Sequence, residues 1–187
     1  MAAGVRQQMV DTAAVLLAKH GLQATSFAEV LKASGAPRGS LYHHFPGGKD
    51  ELVLAALGAA GDRAATVLDG LAGQPADLVA ERFIGLWRAV LTRSDLTAGC
   101  SLLAVTVAAD SEPLLDRAGE IFAAWTERVG ELLAAGGVPA EQSTALATSL
   151  IAACEGGVVL ARAARSMAPY EAVAGVQLAL VRSAMSG

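Results

Sequence analysis

Apolar residues along this chain recur mostly at three- and four-residue intervals, the spacing that lines one side of an α-helix. Val5, Met9, Ala13, Leu16 and Leu17 predict a first helix over about residues 4–19, closed by Lys19-His20 and a Gly21 cap. Ser26 followed three residues later by Glu29 is a capping box. It opens a short second helix with Phe27, Val30 and Leu31 turned inward. Gly35 ends that helix, and Pro37 stands where a first-turn proline is tolerated in the next. The third helix reads Arg38 to His44 and stops at Phe45-Pro46-Gly47-Gly48, because Pro46 cannot continue it. A long helix from Lys49 to about Leu71 begins with Asp50 and Glu51, which suit the positive end of a helix dipole. Further helices are predicted near residues 76–92, 97–110, 112–136, 140–165 and 169–185.

The fold class is therefore all-α. Two short helices joined by a glycine-containing turn are a helix-turn-helix, so residues 1–48 read as a three-helix head. Residues 49–187 read as a helical body.

Composition adjusts this picture in a few places. Hydrophobic residues make up 53% of the chain and mean hydropathy is +0.46, which raises a membrane reading. The longest uncharged run, Leu96 to Ala109, has 14 residues, short of the roughly 17–25 that a spanning helix needs. Buried helices of a soluble protein are the expectation, with no membrane partner. The start of the chain has no signal-peptide pattern, so a cytoplasmic location is expected. Cys100 and Cys154 lie far apart and no histidines cluster with them. Neither a disulfide framework nor a metal site is expected, and no cofactor.

Net charge is −4. Residues 1–55 carry five Lys/Arg against four Asp/Glu, while residues 56–187 carry nine against fourteen. The head is the less acidic part, but charge alone does not name a partner.

The stretch Ser-Gly-Ala-Pro-Arg-Gly-Ser-Leu-Tyr-His-His-Phe (34–45) is polar where a core helix would be apolar. Leu41 and Phe45, spaced i,i+4, can form a buried stripe, which leaves Arg38, Gly39, Ser40, Tyr42 and His43 facing outward. In a helix-turn-helix this second helix enters the DNA major groove. Arg38 can donate to both guanine O6 and N7, Gly39 has no side chain to hold the helix away, and Ser40 and Tyr42 can reach bases or phosphates. His44 suits a phosphate, as does Lys49 beside the free N–H groups of a helix start.

The run "TSFAEVLKASGAPRGSLYHHFPGGKDEL" resembles the signature of the tetracycline-repressor (TetR) family of transcriptional regulators, densely over about residues 5–55. It has the family's threonine before helix 2, which adds Thr25 and Ser26 to the DNA-facing set. Two departures stand out: Pro37 replaces the usual serine or threonine cap, and "PGGKDEL" is one residue longer than the common form. The double glycine and "GCSLLAVTVAAD" (99–110) are similar to the LmrA/YxaF-type subgroup.

The resemblance implies a homodimeric repressor on double-stranded DNA with a palindromic operator, released by an apolar or amphipathic small-molecule effector. The last two helices, rich in small residues including Ala153, Gly156, Gly157 and Ala161, offer a face for the dimer. Candidate effector-binding residues are Phe83, Trp87, Arg88, Cys100, Leu103, Phe122, Trp125, Thr126 and Glu155. For the aromatic residues, ordinary core packing accounts for the pattern equally well. A buried Glu155 would call for a cationic partner, an arginine of a second chain or a ligand. No Ser-His-Asp arrangement, phosphate loop or metal-ligand spacing supports an enzyme. The remaining alternative is a helix-turn-helix protein that has lost DNA binding and serves as a ligand-binding or interaction module.

Overall fold

Capping chemistry sets where the helices begin and end. The computed structural model describes residues 2–186. Along them run α1 (Ala2–Ala24), α2 (Phe27–Ser34), α3 (Arg38–His44), α4 (Lys49–Asp69), α5 (Ala76–Arg93), α6 (Ser101–Thr106), α7 (Glu112–Ala135), α8 (Ala140–Ala164) and α9 (Ala168–Met185). Gly21 (φ 80°, ψ 177°) breaks the winding of α1 near the expected end. The Ser26 hydroxyl accepts the Glu29 N–H at 3.2 Å at the start of α2. Gly35, left-handed at φ 69°, closes that helix by donating its N–H to the Leu31 carbonyl.

One expectation failed in extent. The helix placed at 97–110 is only Ser101–Thr106. Asp95 and Leu96 take left-handed φ values of 51° and 60°, and Thr97 to Cys100 carry no helical winding. Ser94 Oγ accepts the Ala98 N–H, and Arg162 donates to the Thr97 carbonyl at 3.1 Å. These bonds satisfy the backbone without a helix, and Cys100 Sγ then caps α6 by accepting the Leu103 N–H at 3.4 Å.

The chain forms two compact units, Met1–Arg63 with Cys100–Ile121, and Ala64–Gly99 with Phe122–Gly187. Helix α6 packs on α1 and belongs to the first unit. The buried set of the first unit includes Met9, Ala13, Leu17, Val30, Leu41, Phe45, Leu52, Val53, Leu102, Val105 and Leu114. Phe27 and Leu31, expected inward, are only half-buried.

In the second unit α9 packs on α8 and on α5. Tyr170, fully buried, donates its hydroxyl to the Ile84 carbonyl at 2.7 Å and so ties α9 to α5. At the end of α7 the backbone closes on the start of α5: Ala76 N–H donates to the Gly136 carbonyl at 3.0 Å, and a Cβ on Gly136 would collide with Ala76. Helix α8 is apolar and long enough to cross a membrane by composition, yet 44% of its most apolar stretch is buried inside the protein.

Candidate nucleic-acid interface

The turn between α2 and α3 is held by side-chain bonds to its backbone. The Ser34 hydroxyl accepts the Ala36 N–H at 3.3 Å, and Gln8 Nε2 donates to the Ser34 carbonyl at 2.7 Å, which ties the turn to α1. Pro37 occupies the N-cap of α3 in extended conformation (φ −60°, ψ 139°), with no side-chain cap. Ser40 donates both its N–H (3.0 Å) and its hydroxyl (2.6 Å) to the Pro37 carbonyl, which closes the first turn. The departure at Pro37 therefore leaves the start of α3 ordered.

The faces of α3 divide as the spacing predicts. Leu41 and Phe45 are 0% exposed, and such burial stabilises by about 1.5–3 kcal/mol per side chain. The Arg6 guanidinium lies over the Phe45 ring, 5.1 Å from its centroid. On the other side Arg38, Gly39, Tyr42 and His43 are exposed, with Ser40 and His44 half-buried. Tyr42 is 72% exposed, its ring meeting Phe27 edge to face at 5.8 Å. That brace restricts the tyrosine before any partner arrives, which reduces the ordering lost on binding. A Cβ on Gly39 would meet nothing within 4 Å. The protein's own packing does not require glycine there.

Comparison with known proteins agrees with this geometry. Residues 9–56 match the family model for the DNA-binding domain of bacterial regulatory proteins of the tetR family. Residues 75–176 match the C-terminal domain of LmrA/YxaF-like transcriptional regulators. The chain belongs to the TetR family. It is 36% identical over 177 residues to an uncharacterised HTH-type transcriptional regulator of Mycobacterium tuberculosis, covering 91% of this chain and 90% of the relative. It is 28% identical over 170 residues to the HTH-type transcriptional regulator LmrA of Bacillus subtilis, covering 88% and 89%. A TetR transcriptional regulator from Chloroflexus aurantiacus superposes with a TM-score of 0.81 at 27% identity, covering 97% and 96%. The helix-turn-helix transcriptional regulator reading is thereby shown, as is the LmrA/YxaF-like subgroup.

Three of the expected DNA contacts of this TetR-family chain have other commitments. Thr25 is 1% exposed and its hydroxyl donates to the Gly21 carbonyl at 2.8 Å, so the free chain does not offer it outward. Ser26 is half-buried and spends its hydroxyl oxygen as the cap of α2. Lys49 donates its ammonium to the Leu22 carbonyl at 2.7 Å, fixing the start of α4 to the end of α1. The extra glycine has a structural reason here. Gly48 is left-handed at φ 84°, and the Gly47 N–H donates to Glu51 Oε2 at 2.7 Å.

The candidate effector residues fall in both units. Cys100 and Leu103 open α6 in the first. Phe83, Trp87 and Arg88 lie on α5, Phe122, Trp125 and Thr126 on α7, and Glu155 on α8, all in the second. Phe83, Trp87, Trp125, Glu155 and Cys100 are buried. The Trp87 and Trp125 indole N–H groups are buried without a hydrogen-bond acceptor among the described residues. Phe122 meets Trp125 edge to face at 5.7 Å, and Thr126 donates to the Phe122 carbonyl at 2.8 Å. Arg88 is engaged by Glu171 through two bonds of 2.6 and 2.7 Å. That pairing raises the arginine's pKa and lowers the carboxylate's.

Sequence reasoning missed Tyr170, Glu171 and Gln177. Only Gln177 carried a readable signal, as one amide inside the apolar run from Val173 to Val181. Of the small residues assigned to the dimer face, Ala153, Gly156 and Gly157 line an open apolar groove between α8 and α9. Ala161 does not, being 0% exposed in the core.

Proposed function

We propose that this TetR-family regulator is a cytoplasmic homodimeric repressor that holds a palindromic operator through α3 and leaves it when a small apolar or amphipathic molecule binds its helical body. The division of α3 carries the reading: Leu41 and Phe45 anchor it, and Arg38, Gly39, Tyr42 and His43 are exposed. Arg38, Ser40, Tyr42 and His43 read bases, with Arg38 on a guanine, and His44 holds a phosphate. Lys49, Thr25 and the Ser26 cap act mainly by setting the angle at which α3 is presented. One such helix contacts few base pairs, so useful selectivity needs two copies about 34–36 Å apart or a multiple of that.

The segment between Cys100 and Ile121 supports ligand-linked release, since it clusters with the head. Gln23 Nε2 donates to the Ala108 carbonyl at 3.5 Å, and Ser111 Oγ donates to Asp50 Oδ2 at 2.8 Å. An effector that repositions α6 acts through these bonds on α1 and on the first turn of α4. Within the second unit the candidate lining for it is Phe83, Trp87, Arg88, Phe122, Trp125, Thr126 and Glu155, while Cys100 and Leu103 are separate candidates in the first.

The test is a salt titration of binding to the DNA upstream of the chain's own gene. Affinity for a preferred sequence should fall steeply as salt rises, because phosphate contacts release counterions. Weak binding, alike for all sequences, would sink the repressor reading and favour the module that has lost DNA.

A further inference from the structure

We infer that Gln177 sets the register in which the α8–α9 face pairs with a second copy in the proposed homodimer. The inference rests on the dimer proposed above and adds to it the residue that makes pairing specific.

The groove has a volume of about 450 Å³ and is lined by Ala153, Gly156, Gly157, Leu160, Ala172, Val173, Val176 and Gln177. No lining residue is charged. Two of these apolar side chains are well exposed, Leu160 at 54% and Val176 at 59%. Gly156 has nothing within 4 Å of a notional Cβ, so the chain's own packing does not explain its bareness. Gly157 differs, since a Cβ there would meet the Tyr170 ring at 3.1 Å. A partner must bring apolar knobs for the hollow and hollows for the knobs. A second copy related by a two-fold axis carries both.

Gln177 is the polar exception, 8% exposed. Ser149 Oγ donates to its Oε1 at 3.2 Å, which holds the amide in one orientation. The Nε2 end makes no hydrogen bond within the chain among the described residues, and Gln177 lines the groove. When a second copy covers that face, the amide must find an acceptor across the interface or lose its hydration unrepaid. Only a pairing that supplies the acceptor escapes this penalty, so shifted registers and other apolar faces are rejected. A single buried amide sets coiled-coil register in the same way.

The experiment uses the full chain, with a spin label on Glu141→Cys, an exposed site at the start of α8. Sedimentation equilibrium gives dimer affinity and pulsed spin-resonance gives the label-to-label distance. Gln177→Leu should form a dimer as tight as the parent or tighter, with a distance distribution that splits or broadens. Gln177→Glu, with unchanged helix content, should weaken the dimer about 100-fold at neutral pH by burying an unmatched charge. A parent distance distribution in Gln177→Leu together with parent affinity in Gln177→Glu overturns the role of Gln177 and leaves the dimer standing. A parent chain that stays monomeric at tens of micromolar overturns the dimer itself.

Discussion

A glycine inside a helix is less stable than alanine by about 0.5–1 kcal/mol, yet Gly39 sits in α3 with open space around its notional Cβ. We expect Gly39→Ala to leave the melting temperature unchanged or slightly raised while operator affinity drops at least about 10-fold, in keeping with a close helix–duplex approach. A loss of stability in that variant would refute the account. Lys49 behaves differently because its ammonium holds the Leu22 carbonyl. Lys49→Ala should lower unfolding free energy by about 1 kcal/mol and weaken every DNA sequence alike. Calorimetry and a binding titration measure the two halves; an effect on DNA with no effect on stability would return Lys49 to a plain phosphate contact. Glu171 gives a pH signature. Arg88 holds its carboxyl below the ordinary glutamate range, mainly by hydrogen bonding. The stabilisation is therefore complete above that range and disappears as pH falls through it to the lowered value. With side chains 40% and 44% exposed, the pair contributes at most about 1 kcal/mol. The acid limb of the stability curve should flatten by that amount in Glu171→Gln, seen in urea midpoints at successive pH values.

At the scale of elements, capping residues were the legible part. Ser26, Gly35 and Pro46 place the ends of α2 and α3 within a residue or two because their chemistry is local, while α1 breaks at Gly21 as expected but runs on to Ala24. The failure was α6, whose flanking residues are apolar and whose ends depend on distant groups. Arg162 reaches the Thr97 carbonyl from 65 residues away, and two left-handed residues, Asp95 and Leu96, carry no glycine to announce them. The face of α3 was readable for a similar reason: two apolar residues four apart decide which side is buried. Thr25 and Lys49 were not. Their polar atoms are consumed by backbone carbonyls at the end of α1, and nothing in a sequence states which carbonyls stand unsatisfied nearby. The extra residue at Gly47-Gly48 proved equally local once seen, a left-handed turn with the Gly47 amide resting on Glu51.

At the scale of the whole molecule, a net charge of −4 sits uneasily with a polyanionic partner until its distribution is considered. The first 55 residues are close to neutral and the acidic surplus lies beyond them. In the proposed dimer, DNA binding would then draw on a few placed cations and on the doubled contact, more than on a broad positive field. Gly156→Glu should keep the fold, since the position is exposed and a Cβ there meets nothing within 4 Å, and should turn the protein monomeric, read by light scattering. Operator affinity should fall with it; a dimer that survives would move the interface elsewhere. Gly39 and Gly156 share a property that matters to anyone evolving this protein in the laboratory. Both can be filled with no clash inside the chain, and helix propensity rewards the filling. A campaign scored on heat tolerance would close both gaps early, and its winners would be sturdy proteins that had stopped regulating.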